Sequence, residues 1–228
     1  VGGNALLKAS EKFLLKAKEI LSQQLNTSVK SINYKEGQFE YNSKVFTMSD
    51  ISNLLAKRKS SLEISDQWAP QLGSYTYPNG THICELEVDK VSGEVKILNY
   101  TVVDDFGRVI NPLLLEGQIH GGIAQGIGQA LLEETIYDTQ SGQLLSGSFM
   151  DYAIPRASDI PEINFTYNEI LCKANPLGIK GAGEAGAIGA PPAVINALCN
   201  ALDIDHIDMP ARPEKVWKKI LFSNKAAE

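Results

Sequence analysis

The chain has 228 residues, 43% of them hydrophobic, enough for one sizeable domain or two small lobes around a buried core. A net charge of −6 with a single short basic run, "KRK" at 57–59, excludes a nucleic-acid surface, because phosphate binding needs clustered Lys and Arg. No apolar run reads as long enough to span a bilayer, and "VGGNALLKAS" lacks the charged start and apolar stretch of a signal peptide. Without an initiator Met, that start suggests a fragment of a longer polypeptide.

Leu6, Leu7, Phe13, Leu14, Ala17, Leu21 and Leu25 recur at helical spacing and predict a helix over 3–25. Two short strands follow at 32–34 and 39–41, joined by a glycine-containing turn in "KEGQ". Ser49 and Asp50 offer caps for a helix running to Lys57, and the "KRK" there reads as a solvated helix end. The stretch 70–81, "PQLGSYTYPNGT", holds two prolines and two glycines and is expected to be a loop and a lobe boundary.

The clearest hairpin comes next. "HICELEVD" and "EVKILNYTVVDD" alternate polar and apolar residues about a turn at 90–93. The second strand leads into "FGRVINP", where Pro112 is expected to end regular structure, with Asp104, Asp105 and Arg108 as turn and loop residues. A helix is predicted over 121–134, "GGIAQGIGQALLEE". Each of its glycines costs roughly 1 kcal/mol relative to alanine, so close packing against another backbone or a cofactor must compensate. Gly126 and Gly128 suit helix packing.

Strands are predicted in "GSFMDYAIP" and "EINFTYNEIL". Pro191 and Pro192 suit the first turn of a helix ending near Leu202, "RPEKVWKKILF" makes a last helix, and "SNKAAE" is expected to fray. Short strands and hairpins among helices indicate an α+β fold. Cys84, Cys172 and Cys199 are far apart, with no CxxC pair; they read as buried free thiols of a reducing cytoplasm, with no zinc or iron–sulfur site in this chain. His82, His120 and His206 lack metal-ligand spacing.

The most chemical stretch is "GIKGAGEAGAIGAPP", 178–192, where Glu184 is the one carboxylate among glycines and alanines. Gly181, Gly183 and Gly186 spell GxGxxG, with Asp203 about twenty residues on, the written form of a dinucleotide fingerprint and so of an NAD-dependent dehydrogenase. Context opposes it. Pro176 and Gly178 stand where the preceding strand should be, and Pro191 and Pro192 would fall inside the helix that must follow. Two readings of Glu184 remain open: a capping carboxylate, or a general base whose basicity desolvation raises. Lys180 is expected to be a solvated or salt-bridged neighbour of it.

Three long motifs occur in order: "VVDDFGRVINPLLLEGQIHGGIAQGIGQALLEE", "GSFMDYAIPRASDIP" and "KGAGEAGAIGAPPAVINAL". Together they resemble the C-terminal part of the large, molybdopterin-binding subunit of the molybdenum hydroxylases, the xanthine dehydrogenase, aldehyde oxidase and aerobic carbon monoxide dehydrogenase family. The resemblance covers residues 1–228 and implies a molybdenum-cofactor-binding domain of mixed sheets with packed helices. It implies a pterin-held molybdenum, in a cytosine dinucleotide form as in bacterial relatives, with no protein ligand to the metal. Glu184 matches the glutamate that takes a proton from the metal's oxygen ligand as it attacks an electron-poor substrate carbon.

By the same resemblance Gly181, Ala182 and Gly183 match backbone that approaches the cofactor. Gln118, Ile119, His120, Gly121, Gly122 and Gln125 match the second binding segment. There Gln118 bonds the pterin or caps the helix, and Gly121 and Gly122 expose N–H groups at a helix start, which would favour a diphosphate. His120 carries no catalytic role. Iron–sulfur clusters and FAD are expected only on partner domains or subunits, alongside an upstream part of the large subunit and a small-molecule substrate: aldehyde, purine or N-heteroaromatic. The residues that choose among these lie upstream, as would a copper-binding cysteine loop. A non-catalytic cofactor-binding or assembly fragment is the competing expectation.

Overall fold

The computed structural model describes residues 1–58, 60–69 and 75–226, with side chains through 222. Lys59, the end of the "KRK" run, and 70–74 of the expected boundary loop lie outside the described residues. The chain divides into two compact units, 1–74 with 175–177, and 75–174 with 178–228.

In the first unit, α1 (Gly2–Leu25) ends at Asn26, whose left-handed conformation suits a short polar side chain. Strands β1 (Asn33–Lys35), β2 (Gln38–Tyr41) and β3 (Lys44–Phe46) form an antiparallel meander in that order. Both turns hold two residues at positive φ, Glu36 and Gly37, then Asn42 and Ser43, matching the twist of a tight hairpin. The sequence reading missed β3, because "NS" is a weaker hairpin signal than "EG". Helix α2 (Met48–Lys57) is capped by Thr47 and not by Ser49: Thr47 Oγ1 accepts from Asp50 N, and Asp50 Oδ2 accepts from Thr47 N at 2.7 Å, a capping box. Ala17, Leu21, Ile32, Phe39 and Ile51 form this unit's core.

The second unit is built on β4 (Asn79–Val88) and β5 (Val95–Asp105), the expected hairpin, with β6 (Ile163–Tyr167) added parallel to β5. A parallel neighbour needs a crossover, which contains α3 (Pro112–Leu131). Pro112 therefore starts a helix where the sequence reading ended structure: Asn111 Oδ1 accepts from Leu114 N, and the missing proline N–H would be unpaired at that position anyway. "GSFMDYAIP" forms turns and not a strand, with Ser148 Oγ donating to Asp151 Oδ2 at 2.8 Å.

Helix α4 (Ala185–Leu202) begins directly after Glu184, six residues before Pro191, so Pro191 and Pro192 lie in its interior and not in its first turn as expected. By length and composition it could cross a membrane, contrary to the sequence reading. It packs on α3 and β4 within the unit, and Ala190, Val194 and Leu198 are wholly buried. Helix α5 (Pro213–Ala226) extends through most of the tail expected to fray; residues 227–228 lie outside the described residues. Tyr100, Val102, Ile119, Ile123, Ile127, Val194 and Leu198 fill the core between sheet and helices, which makes the unit α+β.

Candidate functional site

Helix α3 sorts the predicted binding segment into two faces. Ile119, Ile123 and Ile127, four apart, are buried in the core, while Gln118, Gly121 and Gln125, at the helical spacings of three and four, face outward. Gly121 and Gly122 sit in the helix interior, so their N–H groups are not the free donors of a helix start and offer no diphosphate site. Ile119 is spent on the core. His120 turns its ring edge to Phe165, centroids 6.4 Å apart, and its Nε2 is buried without a partner among the described residues.

Gln118 does not cap the helix. Its Nε2 donates to Gly183 O at 2.8 Å, tying α3 to the glycine loop. The two segments picked out in the sequence, 65 residues apart, thus meet through one hydrogen bond. Gln118 Oε1 has no protein partner among the described residues, and neither do the N–H groups of Ala182 and Gly183. Gly181 N is committed, donating to Thr76 O at 3.0 Å.

Glu184 occupies the N-cap position of α4, yet its side chain makes no capping hydrogen bond and, among the described residues, no ion pair. The capping reading fails. Its carboxylate is exposed in this chain, so the desolvated environment expected for it is not provided by these residues alone. Ala187, Gly186 and Gly122 hold the loop in place: a Cβ at Gly122 would lie 2.9 Å from Ala187 N, and one at Gly186 would lie 2.6 Å from Ile119 O. These glycines are required by contact between the two helix backbones. By contrast, a Cβ at Gly117, Gly121 or Gly183 would meet nothing within 4 Å. Nothing among the described residues needs those three to be glycine, and all three lie beside Gln118 or Glu184 in sequence or on the helix face.

Lys180 is not the partner of Glu184. It forms a buried ion pair with Asp105, whose other oxygen accepts from Gly107 N at 2.8 Å and Ile170 N at 3.1 Å. Burial would raise the Asp105 carboxyl, but Lys180 and the two N–H groups hold it below the ordinary carboxylate range. Asp104 and Asp105 belong to β5 and not to a loop. Asp104 is 3% exposed, with Oδ1 3.5 Å from His82 Nε2 and Oδ2 without a partner among the described residues; His82 Nδ1 meets the Tyr100 hydroxyl at 2.8 Å. Sequence reasoning missed this network, whose only signal was the inward alternation of His82, Tyr100 and Asp104. A Cβ at Gly189 would strike the His82 ring at 2.5 Å, so α4 rests directly on it.

The three cysteines are free and half-buried, less enclosed than expected. Burial pushes the Cys84 thiol up to about 11. A cavity of about 850 Å³ in the second unit is lined in part by Val95, Ile97, Ile127, Leu131 and Ile160, and neither Gln118 nor Glu184 borders it. Gln118 and Glu184 stand on an exposed face outside that cavity. The dinucleotide reading fails as well: no strand leads directly into Gly181, where the backbone at Ile179 forms an isolated bridge to Gly107. Of the two arguments against it, the one from the prolines was unsound, since a helix does follow the loop with both inside.

A family model described as a molybdopterin cofactor-binding domain matches residues 1–161. The chain is 31% identical over 237 residues to the carbon monoxide dehydrogenase large chain of Hydrogenophaga pseudoflava, covering 99% of this chain and 29% of that one. It is 38% identical over 170 residues to the nicotine 6-hydroxylase large subunit of Paenarthrobacter nicotinovorans, covering 73% and 20%. The crystal structure of a Cu,Mo-CO dehydrogenase in its carbon monoxide reduced state matches with a TM-score of 0.86 at 30% identity, over 96% of this chain and 29% of that one. The chain spans less than a third of the length of these relatives.

Proposed function

Because the chain belongs to the molybdopterin cofactor-binding domains of the molybdenum hydroxylase family, we propose that it is the C-terminal, cofactor-binding portion of a large subunit that hydroxylates a carbon centre with water. The observation that carries this reading is the Gln118–Gly183 hydrogen bond, which leaves the Glu184 carboxylate uncommitted beside two open glycine positions. The open positions fit a flat group in contact with backbone, because a Cβ at Gly121 or Gly183 would occupy the space such a group needs. Gln118 Oε1 and the N–H groups of Ala182 and Gly183 supply the acceptor and donors that a pterin edge would use, and Gln125 extends the polar face about two turns beyond Gln118.

When bound, the molybdenum–pterin group supplies the Lewis acidity and the two-electron acceptor that carbon hydroxylation by water requires. This chain's part is proton transfer and placement. Water loses one proton, which Glu184 Oε accepts, as its oxygen bonds to the substrate carbon. The C–H bond of that carbon breaks, its hydrogen and electron pair leaving to the two-electron acceptor. Gln118 fixes the loop through Gly183, so the carboxylate stands at the start of a helix that rests on His82. Burial of Glu184 by the rest of the large subunit would remove its water and raise its basicity. The chain by itself is therefore inactive. We further infer a cytosine dinucleotide form of the cofactor, with iron–sulfur and flavin groups on partner domains or subunits of a cytoplasmic assembly.

Glu184→Gln in the complete enzyme tests the assignment. Turnover is expected to fall about 10²–10⁴-fold, the range of a lost general base, while molybdenum content stays near normal. Activity within a few-fold of the unaltered enzyme would remove Glu184 from the role.

A further inference from the structure

The first turns of α4 are weakly joined to the rest of that helix. Pro191 and Pro192 lie inside it and lack N–H groups, so the carbonyls of Ala187 and Ile188 lose the donors that a regular helix supplies from four residues on. The turn that starts at Glu184 therefore depends on outside contacts for its position. On one side α3 supplies them, with the backbone of Gly122 against Gly186 and Ala187. On another the His82 ring lies against Gly189, where a Cβ would strike its Nε2, Cε1 and Cδ2 atoms at 2.5, 2.6 and 2.7 Å. Gly189 is five residues from Glu184, about 7.5 Å along the helix axis.

His82 is itself held from two directions. It pairs with Val102 across the β4–β5 ladder, and Tyr100 and Asp104, two residues either side of Val102, project to the same face. Its Nδ1 meets the Tyr100 hydroxyl at 2.8 Å, and its Nε2 lies 3.5 Å from Asp104 Oδ1. The His82 and Asp104 side chains are 8% and 3% exposed and Tyr100 is wholly buried, so the ring cannot swing into solvent when α4 presses on it. We propose that His82 is a positioning residue for proton transfer: its ring, fixed by Tyr100 and Asp104, sets the height of the first turns of α4 above the sheet and so the place of the Glu184 carboxylate. This rests on the reading of Glu184 as the proton acceptor and adds to it what holds that acceptor in place. The proton itself goes to Glu184.

The test uses the complete enzyme with butyraldehyde, xanthine and quinoline as probes and an artificial electron acceptor; kcat and KM are taken on whichever it turns over. Molybdenum content is measured in every variant, as is hydrogen exchange of the peptide 182–190 by mass spectrometry. His82→Ala is expected to speed exchange in that peptide about tenfold. It should lower kcat about tenfold or more, because roughly 1 Å of misplacement can cost about 10²-fold. KM and molybdenum should stay within about twofold, the pattern of a contact needed at the transition state and not in binding. Gly189→Ala keeps the buried trio and pushes a methyl group into the ring instead. It should lower kcat too, and it decides the matter where His82→Ala does not fold. The double variant gives that methyl group the room the ring vacated, so its kcat loss should fall well short of the product of the two single losses. Unchanged exchange or unchanged kcat in the single variants overturns the proposal. Fully multiplicative losses in the double variant, or a fall in molybdenum, also overturn it, because the ring would then serve general stability or cofactor retention. An unaltered enzyme without molybdenum, one that turns over none of the three probes, or one whose Glu184→Gln variant stays active sinks the functional reading and the proposal with it. Exchange at 182–190 that still answers to His82 would mark that as a failure of the reading and not of the mechanical link.

Discussion

Gly121→Ala separates the two causes of glycine in α3. A Cβ there meets nothing within 4 Å, so inside this chain the substitution keeps its whole helix-propensity gain, about 0.5–1 kcal/mol. In a domain of roughly 150–250 residues, about 1 kcal/mol moves the melting temperature by about 2–4 °C, so a rise of about 1–4 °C is expected. One residue on, a Cβ at Gly122 would sit 2.9 Å from Ala187 N and 3.1 Å from Gly186 Cα, both backbone atoms that cannot rotate away. Overpacking of that kind costs about 1–3 kcal/mol, more than the propensity gain, so Gly122→Ala should melt lower. The complete enzyme should show a different consequence for Gly121→Ala. Its methyl group enters the space assigned to the cofactor, and molybdenum per subunit should drop several-fold. Circular dichroism melts of the 228-residue chain and metal analysis of the complete enzyme read the two effects. A stabilised Gly121→Ala enzyme with its full molybdenum complement would refute the idea that this glycine makes room for a ligand.

Lys180→Met leaves Asp105 buried and charged with only two N–H donors, and urea unfolding should register a loss of about 3–5 kcal/mol, the cost of breaking a buried pair from one side. The folded Asp105 carboxyl lies below its unfolded value of about 3.9, so its stabilisation is complete above that pH and is lost as pH falls toward the folded value. Asp105→Asn should flatten this acid limb of an unfolding-versus-pH curve, and an unchanged limb would exclude the linkage. The Cys84 thiol, pushed up to about 11, is about one part in a thousand thiolate at pH 8. Its alkylation by iodoacetamide, followed by peptide mass analysis, should climb about tenfold per pH unit up to that value; a plateau below pH 9 contradicts it. Thr47→Ala removes the cap of α2 and should cost the first unit about 1 kcal/mol in urea unfolding, while Ser49→Ala should cost far less.

Hairpins and amphipathic helices were legible because their signals are local. Alternation marked β4 and β5, and the apolar spacing of Leu14, Ala17 and Leu21 marked α1. Prolines misled in both directions because their meaning depends on position. Pro112 looked like an end and is a first helical residue; Pro191 and Pro192 looked like a start and lie inside a helix held by its neighbours. Glu184 and Gln118 were legible as candidates through the resemblance, but their connection was not. A hydrogen bond between residues 118 and 183 depends on how two helices cross, which no local pattern encodes. The partner of Lys180 was hidden for the same reason: Asp105 lies 75 residues away.

Glycine shows most clearly why the sequence alone stops short. Gly121 and Gly122 are adjacent, in one helix, with the same propensity cost, and nothing in the letters distinguishes them. The fold does. Gly122 faces α4, where the backbone of Gly186 and Ala187 leaves no room for a methyl group, so its cost is offset inside the molecule by close helix packing. Gly121 is turned by one residue, about 100°, and faces open space, so its cost has no offset among the described residues. An unfavourable residue retained where the chain gains nothing from it points to an offset outside the chain. The exposed face carrying Gln118, Gly121 and Gln125, joined to Gly183 and Glu184, is where that external contact belongs. On the function proposed above, a flat cofactor shared with the remainder of a large subunit would supply it, and the same enclosure would give Glu184 the dry surroundings that this chain alone does not.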